Sequence, residues 1–333
     1  MRLLDPQMRF VEEHAHMFPD LVGQLTNILH HGVLAQYGGG APLNPRKRGL
    51  PYRANDEENS QFTQSKMWTD IYNRRMFLRT TNTVQDSDYI EATPTTTVEK
   101  KNTDRSISAD RRVISDMRRI NLHFESCQYY QIVVPKIQDI ARRIMSLRGS
   151  YPNLPIQAAS RDIESAFRLL RLRPAMVWLM VAEFPAAHCN LDGDILCCYL
   201  VMPFGWNGSP SHFALFGDAI TLAHQQHGIT RKGFLDHAFT SRMYVGDGIF
   251  VELSCPVLLD QAIQCWERLA RGILGSSAID GEKLQEEGPW KSAQIILGFV
   301  IDLDTLTITC QNKRWQRQGF FLRNCCPTGG RNF

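Results

Sequence analysis

The residues with chemistry to offer fall into a few short stretches of a 333-residue chain. In Ser160-Arg-Asp162-Ile-Glu-Ser-Ala166-Phe167 an aspartate ends a strand pattern and an aromatic follows five residues later. Met202-Pro-Phe204-Gly205-Trp-Asn-Gly-Ser-Pro210 is a glycine-rich turn ahead of a helical pattern. Ser241-Arg-Met-Tyr244-Val-Gly246-Asp247-Gly-Ile-Phe-Val-Glu252 reads as a β-hairpin, with Met243 and Val245 on one arm and Ile249 and Val251 on the other. Asp-Gly is a tight-turn signal, so Gly246-Asp247-Gly248 is the predicted tip. Arg112-Val-Ile-Ser-Asp116-Met-Arg118 alternates so that Arg112, Ile114, Asp116 and Arg118 share one strand face. Arginine forks suit triphosphate oxygens, and an interleaved carboxylate can hold a neighbouring arginine in place. Taken singly, the hairpin is also a plain surface hairpin, and the arginine strand an exposed one with cross-strand ion pairs.

Other candidates are weaker. His224 and His227 could share a helix face, but two imidazoles without a third ligand fit solvated histidines better than a metal site. The nine cysteines form no Cys-x-x-Cys. Cys197-Cys198 and Cys325-Cys326 are adjacent pairs, whose side chains face opposite ways on a strand. An odd count without framework spacing points to reduced thiols and an intracellular protein, cytoplasmic or nuclear. No apolar run approaches the roughly 20 residues that cross a bilayer, and no membrane partner is expected. The N-terminus lacks the apolar core of a signal peptide. Net charge is +3, yet Lys100 to Gly149 holds 11 Lys and Arg against 5 Asp and Glu. Such a local excess suits either a phosphate-facing surface or a solvated helix face.

The elements that must position these residues follow from periodicity. Residues 1–35 have helical spacing, and Tyr37 to Arg48 is a Gly/Pro linker without the Gly-Lys-Ser/Thr of a P-loop. A short helix is predicted near Ser65 to Phe77, and another from Lys136 to Leu147, opened by Pro135. Met176 to Phe184 and Ile195 to Met202 read as strands, and Ser211 to His227 as a helix. Pro256 opens a helix to about Ile273. Gln294 to Leu303 reads as one strand, and Leu306 to Cys310 as another. The stretch 311–333 reads as a truncated basic tail.

The ordered set resembles the palm of reverse transcriptases, closest to those of LTR-type or related retrotransposons. Asp162-x-x-x-Ala166-Phe167 matches the first catalytic segment, Met202-Pro-Phe-Gly-x-x-x-Ser-Pro210 the second, and Tyr244-Val-Gly-Asp247 the third, which in the family is Tyr-x-Asp-Asp. Upstream, Arg112, Asp116, Arg118 and Asn121 reproduce the fingers pattern. Downstream, Lys283 and Leu297-Gly298-Phe299 look like later palm segments. The resemblance spans about Val98 to Cys310.

It implies a mixed α/β (α+β) right-hand fold with an antiparallel palm sheet backed by helices. Residues 1–85 would be an extension, 86–150 fingers-like and 151–310 palm-like. It implies template-directed nucleotidyl transfer with a primer–template of RNA or DNA and dNTPs as partners, and two Mg²⁺ ions as cofactor. Asp162 and Asp247 would hold metal. Phe167 would lie under the sugar, and Arg112 with Lys100 or Lys101 would grip the triphosphate. Phe204 and Gly205 would approach the template and incoming base, and Lys283 the leaving pyrophosphate. The departure is Gly246, which stands where the family carries its principal hairpin aspartate. Losing roughly 4 kcal/mol of metal charge stabilisation slows chemistry on the order of 10³-fold. The expectation is an impaired RNA-directed DNA polymerase, or a catalytically dead nucleic-acid-binding relic of a mobile element.

Overall fold

The computed structural model describes residues 5–36, 57–80, 92–101, 107–124, 129–184, 195–231, 235–279, 290–310 and 320–321. It is mixed helix and mostly antiparallel sheet, with Ala92–Thr93 pairing parallel to Val181–Glu183, in two compact units. The first comprises Met1–Val22, Val133–Glu164 and Ala214–Phe333, and the second Gly23–Ile132 and Ser165–Phe213.

The first unit is built on a three-stranded antiparallel sheet. The hairpin arms Ser241–Tyr244 and Asp247–Leu253 pair with each other, and the second arm pairs with Ile156–Asp162. The second arm is buried from Gly248 to Leu253, so both its faces are covered. Helix Ile137–Ser150 follows Pro135, and its first turn is fixed by the Lys136 amide, which donates to Asp139 Oδ2 at 2.9 Å. Its Ile140, Ile144 and Leu147 lie on one stripe and pack with Ile156, Ala158, Ile249, Val251 and Leu253.

Helix Pro256–Leu274 opens with Pro256 and buries Leu259, Ile263, Trp266, Ala270 and Ile273. The Trp266 indole lies where a Cβ on Gly248 would stand, 2.6 Å from its nearest atom. Helix Pro6–Glu13, capped by Asp5 through the Gln7 amide, packs on the same long helix, with Phe10 against Gly272. The predicted single strand 294–303 is instead a hairpin, Ala293–Ile296 and Phe299–Asp302. Leu297 and Gly298 both take positive φ (+51° and +78°), as a two-residue hairpin loop of type I′ requires.

The second unit holds a four-stranded sheet in the order Met76–Thr80, Ile195–Tyr199, Val181–Glu183, Ala92–Thr93. It also holds the hairpin Thr95–Lys101 with Ile107–Ser115 and the helix Glu57–Tyr72. That helix starts earlier than the one predicted near Ser65–Phe77, and Met76 already begins a strand. The run Met176–Phe184 is not one strand. Pro174 starts a helical turn to Val177, and only Val181–Glu183 is extended. An unbroken apolar run fits a buried helix turn and a buried strand equally.

Candidate active site

The first unit carries the carboxylates. Asp162 and Asp247 are register partners at the open end of the Ile156–Asp162 and Asp247–Leu253 ladder. The Ile163 amide donates to the Gly246 carbonyl at 2.8 Å. That bond makes Asp162 and Asp247 a non-hydrogen-bonded pair, the closer of the two kinds, with Cβ atoms about 5 Å apart. Alternation puts both carboxylates on the face away from Gly248, and hence away from Trp266. Asp162 is half-buried and Asp247 exposed. Behind them Arg161 is buried and reaches Glu267 at 3.4 Å and its neighbour's carbonyl, Ser160 O, at 2.9 Å.

The hairpin tip differs from the predicted one. Tyr244 pairs with Asp247, so the loop is Val245-Gly246 alone. Asp247 is the first strand residue, and Gly248 is a core residue whose missing side chain admits Trp266. Val245, not Gly246, carries the positive φ (+56°), an outlying conformation for a β-branched residue.

Magnesium is held by one or two carboxylates plus water and substrate phosphates, and the opposed pair fits one such ion. Gly246 offers no third carboxylate beside the pair. Among the described residues no group of three or more His, Cys, Asp or Glu converges on a metal position. Lys283 lies outside the described residues.

The second unit carries the glycine-rich turn and the arginine segment, and these meet. Asn121 donates through Nδ2 to the Gly205 carbonyl at 2.9 Å and accepts from the Asn207 amide at 3.0 Å. One side chain thus fixes both sides of the turn. Inside it, Ser209 Oγ donates to Pro203 O at 2.8 Å. Gly205 has φ +105°, and a Cβ there would stand 2.2 Å from Ser115 O, so only glycine lets the turn pass the end of the arginine strand. Ser115 Oγ is bonded to the Tyr199 hydroxyl at 2.7 Å, and burial pushes that phenol up to about 12.

Arg112 is exposed and stands opposite Val98. The strand ends at Ser115, so Asp116 and Arg118 do not continue its face as predicted. Asp116 instead accepts from the Arg118 amide at 3.3 Å, ahead of the helical turn Arg118–Asn121, and grips the Arg118 guanidinium, with Nε at 2.7 Å and a second bond from Nη2. Lys101 pairs through its backbone with Ile107. Phe167, in the turn Ala166–Leu169, is buried, with its ring 5.1 Å from Phe204 and 5.9 Å from Phe213. Phe204 is 39% exposed.

His224 is core: its Nε2 lies 2.9 Å from Ala262 O and its ring stacks on Phe239. His227 Nδ1 lies 2.8 Å from Ala223 O. Neither makes a metal site among the described residues. Sequence reasoning missed a buried network in the first unit. Glu252, wholly buried, meets His237 Nε2 at 2.6 Å and Arg143 Nη2 at 3.0 Å, and accepts from the Thr240 amide at 2.9 Å. A glutamate between Val251 and Leu253 in a strand buried on both faces was its available signal.

No protein-family profile matches the chain, and no curated protein matches it. No described helix is long and apolar enough to cross a membrane.

Proposed function

We propose that the chain is a reverse transcriptase-like domain of a retroelement, with template-directed nucleotidyl transfer weakened by the loss of one hairpin carboxylate. The observation that carries this reading is the directly opposed Asp162–Asp247 pair, on a strand end and a hairpin arm, with Gly246 beside it. Asp162 and Asp247 would hold a Mg²⁺ ion through their carboxylate oxygens. When bound, that ion supplies charge stabilisation to phosphate oxygens during the displacement. Arg112 offers an exposed guanidinium to a triphosphate. The Gly205 turn, clamped by Asn121, keeps its backbone free of side chain where a base would approach, and Phe204 offers a partly exposed aromatic edge.

A second reading is favoured by Gly246 itself: a binder of primer–template that no longer performs the transfer. Salt-dependent binding of a primer–template, measured beside Mg²⁺-dependent incorporation, separates the two. Slow incorporation that Asp162→Asn abolishes supports the first. Binding without incorporation supports the second, and absence of both defeats each.

A further inference from the structure

We propose that Asp70 positions the Phe204 ring through Arg168, which makes the helix Glu57–Tyr72 part of the nucleotide-facing surface rather than a detached extension. The proposal rests on the nucleotide-binding reading of Phe204 for its functional meaning, and on geometry within the second unit for its substance.

Asp70 lies in the last turn of that helix, where a negative charge opposes the helix dipole. Its side chain is 7% exposed, and a buried carboxylate is costly unless paired. Lys66, one turn earlier, and Arg75, just past the helix, favour its charge locally, and Arg168 comes to it from a distant segment. Arg168 Nη1 donates to Asp70 Oδ1 at 2.7 Å, and Arg75 Nη1 stands 3.7 Å from the same oxygen. Arg168 directly follows Phe167, and its guanidinium carbon lies over the Phe204 ring, 5.8 Å from the centroid. Phe204 in turn tilts against Phe167. A continuous chain of contacts therefore runs from Asp70 to Arg168 to Phe204.

The charges at this end of the chain do not cancel. One carboxylate meets two guanidinium groups, with Lys66 a further cation near it, so Asp70 is not reserved to neutralise the Arg168 that lies over Phe204. A planar cation beside a partly exposed aromatic suits a base with an attached phosphate. A nucleoside triphosphate has both features. Asp70 acts on such a ligand only through Arg168, as a positioning residue.

The test uses the full chain with Phe204 replaced by 4-fluorophenylalanine, so that the ¹⁹F resonance reports the ring's surroundings. Asp70→Asn should move that resonance, and Asp70→Glu should restore it toward the original position. Arg168→Lys keeps the charge, loses the planar guanidinium over the ring and should move the resonance too, which carries the test if Asp70→Asn does not fold. Binding of a fluorescent dATP should weaken about two- to five-fold in Asp70→Asn, the size of one exposed cation–π contact. A resonance unmoved in both Asp70→Asn and Arg168→Lys overturns the proposal. A resonance that moves, in a chain that binds no nucleotide even unaltered, supports the positioning role and defeats the nucleotide reading instead.

Discussion

Asp162 and Asp247 stand directly opposite each other across two antiparallel strands, one step beyond the Arg161–Gly248 pair. A cation held between the two carboxylates binds the folded chain and not the unfolded one. Mg²⁺ should therefore raise the unfolding temperature beyond Na⁺ at equal ionic strength. At ten times its dissociation constant the gain is about 1.4 kcal/mol. Asp162→Asn should abolish the difference. Thermal unfolding that ignores Mg²⁺ would speak against a cation at the pair.

Gly205→Ala tests the clamped turn. The added methyl meets the Ser115 carbonyl at 2.2 Å in a backbone with φ +105°. We expect a loss of about 3 kcal/mol or more, read from the denaturant midpoint. A loss below about 1 kcal/mol would mean that the turn does not pass Ser115 so closely.

Val245→Asn tests the strain at the hairpin tip. Asparagine accepts positive φ more readily than a β-branched residue, and strain of this kind is worth roughly 1–3 kcal/mol. The variant should be about 1 kcal/mol more stable in urea, and an unchanged or lower midpoint would contradict the turn geometry.

His224 sets a pH dependence. Its Nδ1 is buried without a hydrogen-bond partner among the described residues, and burial holds its pKa down to about 4 from 6.5. The folded pKa lies below the unfolded one, so the unfolded chain takes up the proton first as pH falls. Stability is full above pH 6.5 and declines toward pH 4, by up to about 3 kcal/mol. His212, also held down to about 4 by burial, adds a contribution of the same sign. Urea unfolding between pH 7 and 4 should show a shallower decline for His224→Gln, and an unaltered slope would contradict the assignment.

Much of this arrangement was legible because local signals and tertiary packing agree. Pro256 and the Leu258, Leu259, Ile263, Trp266 and Leu269 stripe mark one long helix, and Pro135 with Gly149 marks another. The strand ending at Asp162 and the hairpin were both readable. Their pairing on one sheet was foreseen through the family resemblance, since nothing local to either segment specifies it. The hairpin tip is predicted at Gly246–Gly248 and found at Val245-Gly246, because a turn glycine and a packing glycine look alike in one dimension. Gly248 is set by the indole of Trp266, eighteen residues further along the chain. The end of the arginine strand is not legible because the Asp116 carboxylate bonds the Arg118 amide two residues on, a competition that alternation does not reveal. The role of Asp70 is not legible because its closest partner, Arg168, comes from a distant segment.

The sharpest measurement is single-nucleotide primer extension in Mg²⁺ by the unaltered chain beside its Gly246→Asp variant. Position 246 has no left-handed backbone to penalise a side chain, so the variant should fold. The account predicts a rate increase on the order of 10³-fold on restoring that carboxylate, from a slow or undetectable start. Equal rates in the two proteins, or extension by neither when both bind the primer–template, would contradict it.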